Sequence, residues 1–384
     1  MNKKSLLPKK ILLFTDWFSP AYKAGGPIRS CVNFVVNMHE DFELYVFTGD
    51  TDLAETVALP GIRTDSWQNY QGMARVYYSS PATRTYSGIQ KIIRSIRPEY
   101  IYINSFFSKY STIYPLIISR LDTSKTKLVL SPRGMLKPSA LQFKSGKKKI
   151  FLTLTKLIGL YNKVIFHATD QEEVKDIRHH FSKNQTLLAS NFPGKVGDKP
   201  LAVKKEPGEL KILFVGRIHP IKNLDYLLKI LSTANGTIQC TIIGPKEQEQ
   251  YWTSCMELIN RLPASITINF LGEVPYEEVG HIIQGIHIFA LPTQGENFGH
   301  AIFDALSKGK PVLVSDQTPW RNLQEQQAGW DLALKEPGLF SNALQDAVNW
   351  NQQTYEQWSV GAHKVAKNFV NQSNLSEQYK KIFS

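Results

Sequence analysis

Residues 211–231 read KILFVGRIHPIKNLDYLLKIL. Lys211 to Val215 is a short apolar run rich in strand formers, Gly216 ends it, and Leu224, Leu227, Leu228 and Leu231 then fall at helical spacing. A strand, a glycine turn and a helix make one β–α unit. The alternation continues downstream through strands at Ile238–Ile243, Ile266–Phe270, Ile286–Leu291 and Pro311–Ser315, with helices over Tyr251–Ile259, Glu277–Ile283 and Ala301–Ser307 between them. Upstream it recurs as strands at Ile11–Phe14, Leu44–Phe47, Tyr100–Ile103, Lys127–Leu130 and Val164–Phe166. Helical patterns over Ile28–Met38, Ile89–Ile96, Tyr110–Arg120 and Ser139–Leu160 separate those strands. Strands that alternate with helices form parallel sheets covered on both faces.

The alternation pauses in a proline- and glycine-rich stretch, 191–209, and then restarts. The chain of 384 residues is therefore expected to hold two doubly wound α/β domains. Their bounds are 1–195 and 210–365, with a linker over 196–209 and a terminal helix over 366–384 that packs back on the first domain. Two such domains facing a central cleft bind ligands at the carboxyl ends of their strands.

Hydrophobic residues make up 42% of the chain and charged ones 20%, which excludes a disordered protein. The cysteines, Cys31, Cys240 and Cys255, are too few and too scattered for a disulfide framework or a zinc site, so a reducing, cytosolic setting is expected. The basic start MNKKSLLPKKILLFTDWF resembles a leader, but its apolar run stops at Asp16 and reads as a first strand. No stretch approaches the roughly 20 apolar residues of a membrane span. The formal charge is +12, and it divides unevenly. Up to residue 200 there are 29 basic and 15 acidic side chains; beyond it there are 16 and 18. Between Asp122 and Asp170 no acid occurs, while ten lysines and arginines do. One half is thus built to meet an anionic surface.

Three motifs lie just after strands. Gly25-Gly26 before Pro27 allows a backbone turn into a helix whose first amides can accept diphosphate or sugar oxygens; it is equally a tight turn with proline at the first helical position. Arg217 and Lys222 stand five apart in the loop after the 211–215 strand, where a planar fork and a point charge can converge on one diphosphate, or remain a solvated pair. In the loop Leu291 to Leu306, Gly295 and Gly299 bracket Glu296, and Asp304 follows one helical turn in. Ionised carboxylates there can accept paired sugar hydroxyls.

Gly216-Arg217 with Lys222-Asn223, Glu296-Asn297-Phe298-Gly299 with Asp304, and Gly309-Lys310-Pro311-Val312 resemble the family 4 glycosyltransferases of the retaining GT-B class. Gly25-Gly26, Ser131-Pro132-Arg133-Gly134-Met135 and Phe166-His167-Ala168-Thr169 are similar to its bacterial surface-polysaccharide members. The resemblance implies that Arg217 and Lys222 bind the donor diphosphate and stabilise its developing charge. It implies that Glu296 holds sugar hydroxyls, with the amides of Asn297, Phe298 and Gly299 against sugar and phosphate and Gly26 approaching from the other domain. Asp304 would take the ribose, although the family normally has Glu there. Gly244 and Val274 border the base, with UDP-sugars slightly favoured over GDP-sugars. Arg133, where many relatives carry His, would contact the acceptor or a phosphate. His167 is either a cleft residue or a satisfied, half-buried histidine. Asp50-Thr51-Asp52 mimics a metal-binding DxD, but the resemblance implies side-chain cations in place of a metal, and no cofactor.

Lys144, Lys147, Lys148 and Lys149 precede an amphipathic stretch with Ile150, Phe151, Leu152, Leu154, Leu157, Ile158 and Leu160. That combination suits the headgroup layer of an anionic membrane, or a core helix with a solvated lysine face. The expected protein is a cytoplasmic, peripherally membrane-associated hexosyltransferase. It moves a hexose or N-acetylhexosamine from a nucleotide-diphosphate donor to a polyprenyl-diphosphate-linked glycan in surface polysaccharide assembly. The alternative is a non-catalytic GT-B binding protein with a basic membrane-facing domain. Nucleic acid is not expected as a partner, because the basic tract lacks interleaved aromatic stacking positions.

Overall fold

The computed structural model describes residues 8–121, 125–142, 145–201 and 203–384. The chain divides into two units, Met1–Phe192 with Asn374–Ser384, and Pro193–Ser373.

In the first unit the strands are β1 (Lys10–Phe14), β2 (Glu43–Gly49), β3 (Trp67–Tyr70), β4 (Ala74–Ser79), β5 (Tyr100–Ile103), β6 (Lys127–Leu130), β7 (Val164–Ala168) and β8 (Thr186–Leu188). They form one sheet in the order β3-β4-β2-β1-β5-β6-β7-β8. Ile11 on β1 lies opposite Leu44 on one side and Tyr100 on the other, both in parallel register. β3 alone runs antiparallel, against β4. The central strands are buried on both faces, which is why KILLF and ELYVFTG read as almost unbroken apolar runs. The connecting helices are α1 (Gly26–Met38), α2 (Tyr86–Ile96), α3 (Tyr114–Leu121), α4 (Pro138–Gln142), α5 (Ser145–Leu157) and α6 (Gln171–His180). α3 is preceded by a π-helical turn, Lys109–Ile113.

The second unit has β9 (Glu209–Val215), β10 (Thr237–Ile243), β11 (Ile266–Gly272), β12 (Ile288–Leu291), β13 (Val312–Ser315) and β14 (Gly329–Leu332), ordered β11-β10-β9-β12-β13-β14 and paired in parallel. Its helices are α7 (Leu224–Leu231), α8 (Glu249–Ile259), α9 (Tyr276–Gln284), α10 (His300–Ser307), α11 (Pro337–Asn349) and α12 (Gln352–Gln372). Trp330, Trp350 and Trp358 stack on one another with ring centroids 4.7–5.3 Å apart, closing the core beneath α11 and α12.

Three boundaries differ from the sequence reading. The 196–209 stretch is fastened to the second unit. The Lys205 ammonium, 1% exposed, donates to the carbonyls of Glu206, Val348 and Trp350 at 2.8–3.0 Å, and His287 Nε2 donates to Lys204 O at 2.8 Å. α12 remains in the second unit to Gln372, so the return to the first unit begins at Asn374 rather than at residue 366. Asn374 adopts φ 37°, a left-handed conformation that stops helical propagation. Last, the helix that returns is short. In α13 (Leu375–Ile382) Tyr379 stacks on Phe192 at 4.4 Å and meets His167 at 5.0 Å, while Phe383 beyond it packs against Phe34, Phe42, Tyr100 and Tyr102.

Candidate functional site

The order of the second sheet reverses between β9 and β12, and the loops after those two strands carry the expected donor residues. After β9, the Lys222 stem runs alongside Gly216: a Cβ there would make ordinary contact with Lys222 Cγ at 3.4 Å. Pro220–Lys222 is a 3-10 turn capped by His219, whose Nδ1 accepts from Ile221 N at 3.1 Å. Burial holds the His219 pKa below its ordinary value, with Glu247 opposing. Asn223, at φ 63°, turns the chain into α7 in a conformation that asparagine tolerates.

After β12, the Thr293 hydroxyl donates to Ile221 O at 2.9 Å and Gln294 N donates to the same oxygen at 2.7 Å, so the two loops are tied together. Glu296 N donates to Gln317 O at 3.0 Å, which fixes the loop tip against the segment after β13. The result is an ion pair between Lys222 Nζ and Glu296 Oε1, with side chains 16% and 15% exposed. Asn297 and Phe298 lead into α10, whose N-cap, Gly299, has φ 75° and supplies no side-chain cap. The amides of such a first turn suit an anion. Phe298 itself is buried, and its carbonyl accepts from Trp320 Nε1 at 2.7 Å.

Arg217 lies farther out. Its Nη1 is 2.5 Å from Glu247 Oε2, and both side chains are well exposed. Gly244, at φ 145°, passes so close to the Gly216 carbonyl that any Cβ would overlap it. Val274 follows β11 and packs against the second core. Asp304 is 9% exposed, inside α10, and a Cβ on Gly194 would be 3.1 Å from its Oδ1 and 3.7 Å from the Tyr276 hydroxyl. Burial lowers the pKa of Lys308, one turn on, and Asp304 opposes that shift.

In the first unit, Gly25 caps α1 at φ 64°, with nothing within 4 Å of where a Cβ would stand, and Gly26 opens the helix. The Asp52 carboxylate accepts from Tyr22 N and Lys23 N, so the second acid of the Asp50-Thr51-Asp52 triplet braces the approach to these glycines. Arg133 points its three guanidinium nitrogens at the Asn104 and Asn191 side-chain oxygens and, at 2.8 Å, at the Tyr102 hydroxyl. His167 is in the interior rather than at a cleft surface. It is 0% exposed, its Nε2 donates to Ala189 O at 2.8 Å, and its Nδ1 accepts from Tyr102 OH at 2.8 Å. Burial, helped by Arg133, pushes its pKa down to about 3. Because both nitrogens are used, the neutral ring is a structural strut.

Lys144 lies outside the described residues. Lys147 and Lys149 are exposed, whereas Lys148 folds back to donate to Ala140 O at 2.6 Å and lies over the Phe107 ring. Leu152 and Leu160 are buried, but Ile150, Leu154, Leu157 and Ile158 are 56–77% exposed and follow one stripe of α5 and its exit. Among the described residues no helix is long and apolar enough to cross a membrane. Sequence reasoning missed Glu247, Thr293 and Trp320 as site supports. The acid-bearing loop after β10 was the available signal for Glu247; the other two act through contacts that only the fold creates.

Residues 199–364 match the family model described as "Glycosyl transferases group 1". The D-inositol 3-phosphate glycosyltransferase of Rhodococcus erythropolis is 25% identical over 165 residues, which are 39% of this chain and 37% of that protein. The chain thus spans well under half the length of that relative. The solved structure of Anabaena HepE in complex with UDP and glucose superposes with a TM-score of 0.70 at 16% identity, covering 98% of this chain and 99% of HepE. WaaG, a glycosyltransferase involved in lipopolysaccharide biosynthesis, does so with a TM-score of 0.63 at 14% identity, covering 97% and 99%. The two Rossmann-like units therefore have the GT-B fold, and the match over the second unit supports a glycosyltransferase.

Proposed function

We propose that the protein is a retaining, metal-independent hexosyltransferase of the family 4 type. It transfers a hexose or N-acetylhexosamine from a nucleotide-diphosphate donor, with UDP-sugar favoured, to a lipid-linked glycan in surface polysaccharide assembly. The observation that carries the reading is the Lys222–Glu296 pair at the strand-order reversal of the second sheet. A diphosphate arriving there takes Lys222, and Glu296 is released to accept hydroxyls of the donor sugar. Arg217, exposed and paired with Glu247, is placed to take the second phosphate. Asp304 and Tyr276 border the ribose position. As the glycosidic bond breaks, negative charge grows on the leaving phosphate, and preorganised cations in a half-buried loop stabilise it more than they stabilise the ground state. No enzymic nucleophile is assigned; the leaving phosphate oxygen accepts the acceptor proton on the same face.

The acceptor side rests on charge and on α5. Lys147 and Lys149 beside the exposed Ile150, Leu154, Leu157 and Ile158 suit the inner face of an anionic membrane, where a polyprenyl-diphosphate-linked acceptor resides. Incubating the protein with a panel of UDP- and GDP-sugars and following donor hydrolysis tests the reading. Saturable, base-selective hydrolysis is expected. Tight nucleotide binding without turnover of any donor would favour the non-catalytic GT-B binding protein instead.

A further inference from the structure

The carboxyl edge of the first sheet holds a second charged cluster, built from the loops after β1, β4 and β5. β1 and β5 are adjacent strands at which the order of that sheet reverses. Asp16, after β1, accepts the hydroxyls of Ser108 at 2.5 Å and Ser111 at 2.7 Å, both from the segment after β5. Those serines flank and enter the π-helical turn Lys109–Ile113, a wide turn of the kind that gathers at functional sites.

Arg84, between β4 and α2, completes the cluster. Its guanidinium lies against Gly49 at the end of β2, where a Cβ would overlap Nη1 and would stand 3.2 Å from Asp16 O. It covers the Tyr110 ring at 5.2 Å, and Lys109 Nζ is 5.4 Å from the same centroid. Among the described residues the Arg84 guanidinium has no hydrogen bond or ion pair, and its Nε is buried without a partner. A buried donor left unbonded destabilises the fold, so a fold that keeps one holds a fork prepared for an anion. The cation–π contact with Tyr110 holds that fork over the ring without neutralising it.

We propose that Arg84, held on Tyr110 with Lys109 beside it, receives an anionic group of the acceptor saccharide, a carboxylate or a phosphoryl group, while Asp16 and its serines take neighbouring hydroxyls. The inference rests on the glycosyltransferase reading and names its acceptor class as an acidic glycan. A neutral sugar would satisfy Asp16 and leave the guanidinium without a partner.

The test uses the full chain with the donor site saturated by UDP. Dissociation constants are measured for methyl glucuronide, glucose 1-phosphate and neutral methyl glucoside. At least one charged probe should bind ten times more tightly than the neutral one, and the better of the two identifies the anion. Arg84→Gln should erase that preference, and Lys109→Gln, at an exposed position, should reduce it about threefold. Equal affinities for charged and neutral probes would overturn the proposal, as would an undiminished preference in a natively melting Arg84→Gln protein. If Arg84→Gln fails to fold, an undiminished preference in Lys109→Gln overturns it equally. Titration of the wild-type protein with UDP and with GDP reports separately: binding of neither nucleotide sinks the glycosyltransferase reading, whatever the saccharides do.

Discussion

Replacing Lys222 by alanine is expected to weaken UDP more than any other single change in the second unit. The Lys222 ammonium is 16% exposed and already holds one carboxylate, so it sits where charge is only partly screened. At about 3 Å and an effective dielectric of about 20, attraction to a phosphate oxygen is roughly 5–6 kcal/mol. Giving up Glu296 and shedding water take back more than half of that, leaving about 2–3 kcal/mol, or roughly 30- to 150-fold in Kd. Turnover should fall further, by about 10²–10³, because the phosphate carries more charge in the transition state. Glu296→Gln provides the opposing arm. With its competitor gone, Lys222 should bind UDP a few-fold more tightly, while donor hydrolysis drops because the sugar loses the negative charge and one of its two acceptor oxygens. Calorimetric titration of UDP and a donor-hydrolysis assay read both arms. A folded Lys222→Ala protein with UDP affinity within threefold of wild type would refute the argument. So would a Glu296→Gln protein that loses UDP affinity as Lys222→Ala does.

Arg217→Ala should cost about tenfold in UDP affinity, less than Lys222→Ala, because its guanidinium is exposed and shared with Glu247; an equal or greater loss in the same titration would reverse the ranking. Gly244→Ala forces a Cβ onto the Gly216 carbonyl at a φ that side chains rarely adopt, so Tm should fall by several degrees and UDP binding with it. Leu154→Asp with Leu157→Asp should abolish cosedimentation with vesicles containing phosphatidylglycerol while leaving Tm within about 2 °C, since both side chains face solvent. Binding that survives in the double variant would remove α5 from the membrane reading. His167 titrates at about 3 in the folded chain, against about 6.5 when unfolded, so its contribution is complete above pH 6.5 and is lost as pH falls toward 3. Near pH 4 that is about 3 kcal/mol, and denaturant melts of His167→Gln should show a flatter decline between pH 6.5 and 4 than wild type.

The doubly wound fold was legible because strands buried on both faces leave continuous apolar runs, as KILLF and KILFV do. The strands missed are those without such runs. β3 (WQNY), β8 (TLL) and β14 (GWDL) are short edge strands whose assignment depends on a neighbour already in place, and β4 (ARVYYS) is interior but broken by Arg75. The donor loops were legible because a glycine or an acid stands directly after a strand. Sequence could not tell which cation meets which acid: Lys222 reaches Glu296 across 74 positions, through loops joined by Thr293 and Ile221. Residue type does not report burial, so sequence left His167 open between a cleft residue and a satisfied histidine, and only the fold, with the ring 0% exposed, decides for the second. Arg84 went unread because its meaning lies in having no partner, which only the packed structure reveals.

The first unit is discontinuous, and this matters for how the chain acquires its shape. Phe34 and Tyr102 meet Phe383 across nearly the whole sequence, with the second unit intervening. During synthesis the first sheet can assemble early, but its aromatic floor stays open until all of the second unit has emerged. Contacts of such sequence separation form late and slow folding, so the second unit should acquire native protection from exchange before the first. Until α13 arrives, Phe34, Tyr102 and Phe192 form a sticky apolar face, and a nascent chain stalled before residue 374 is the species that would most need a chaperone.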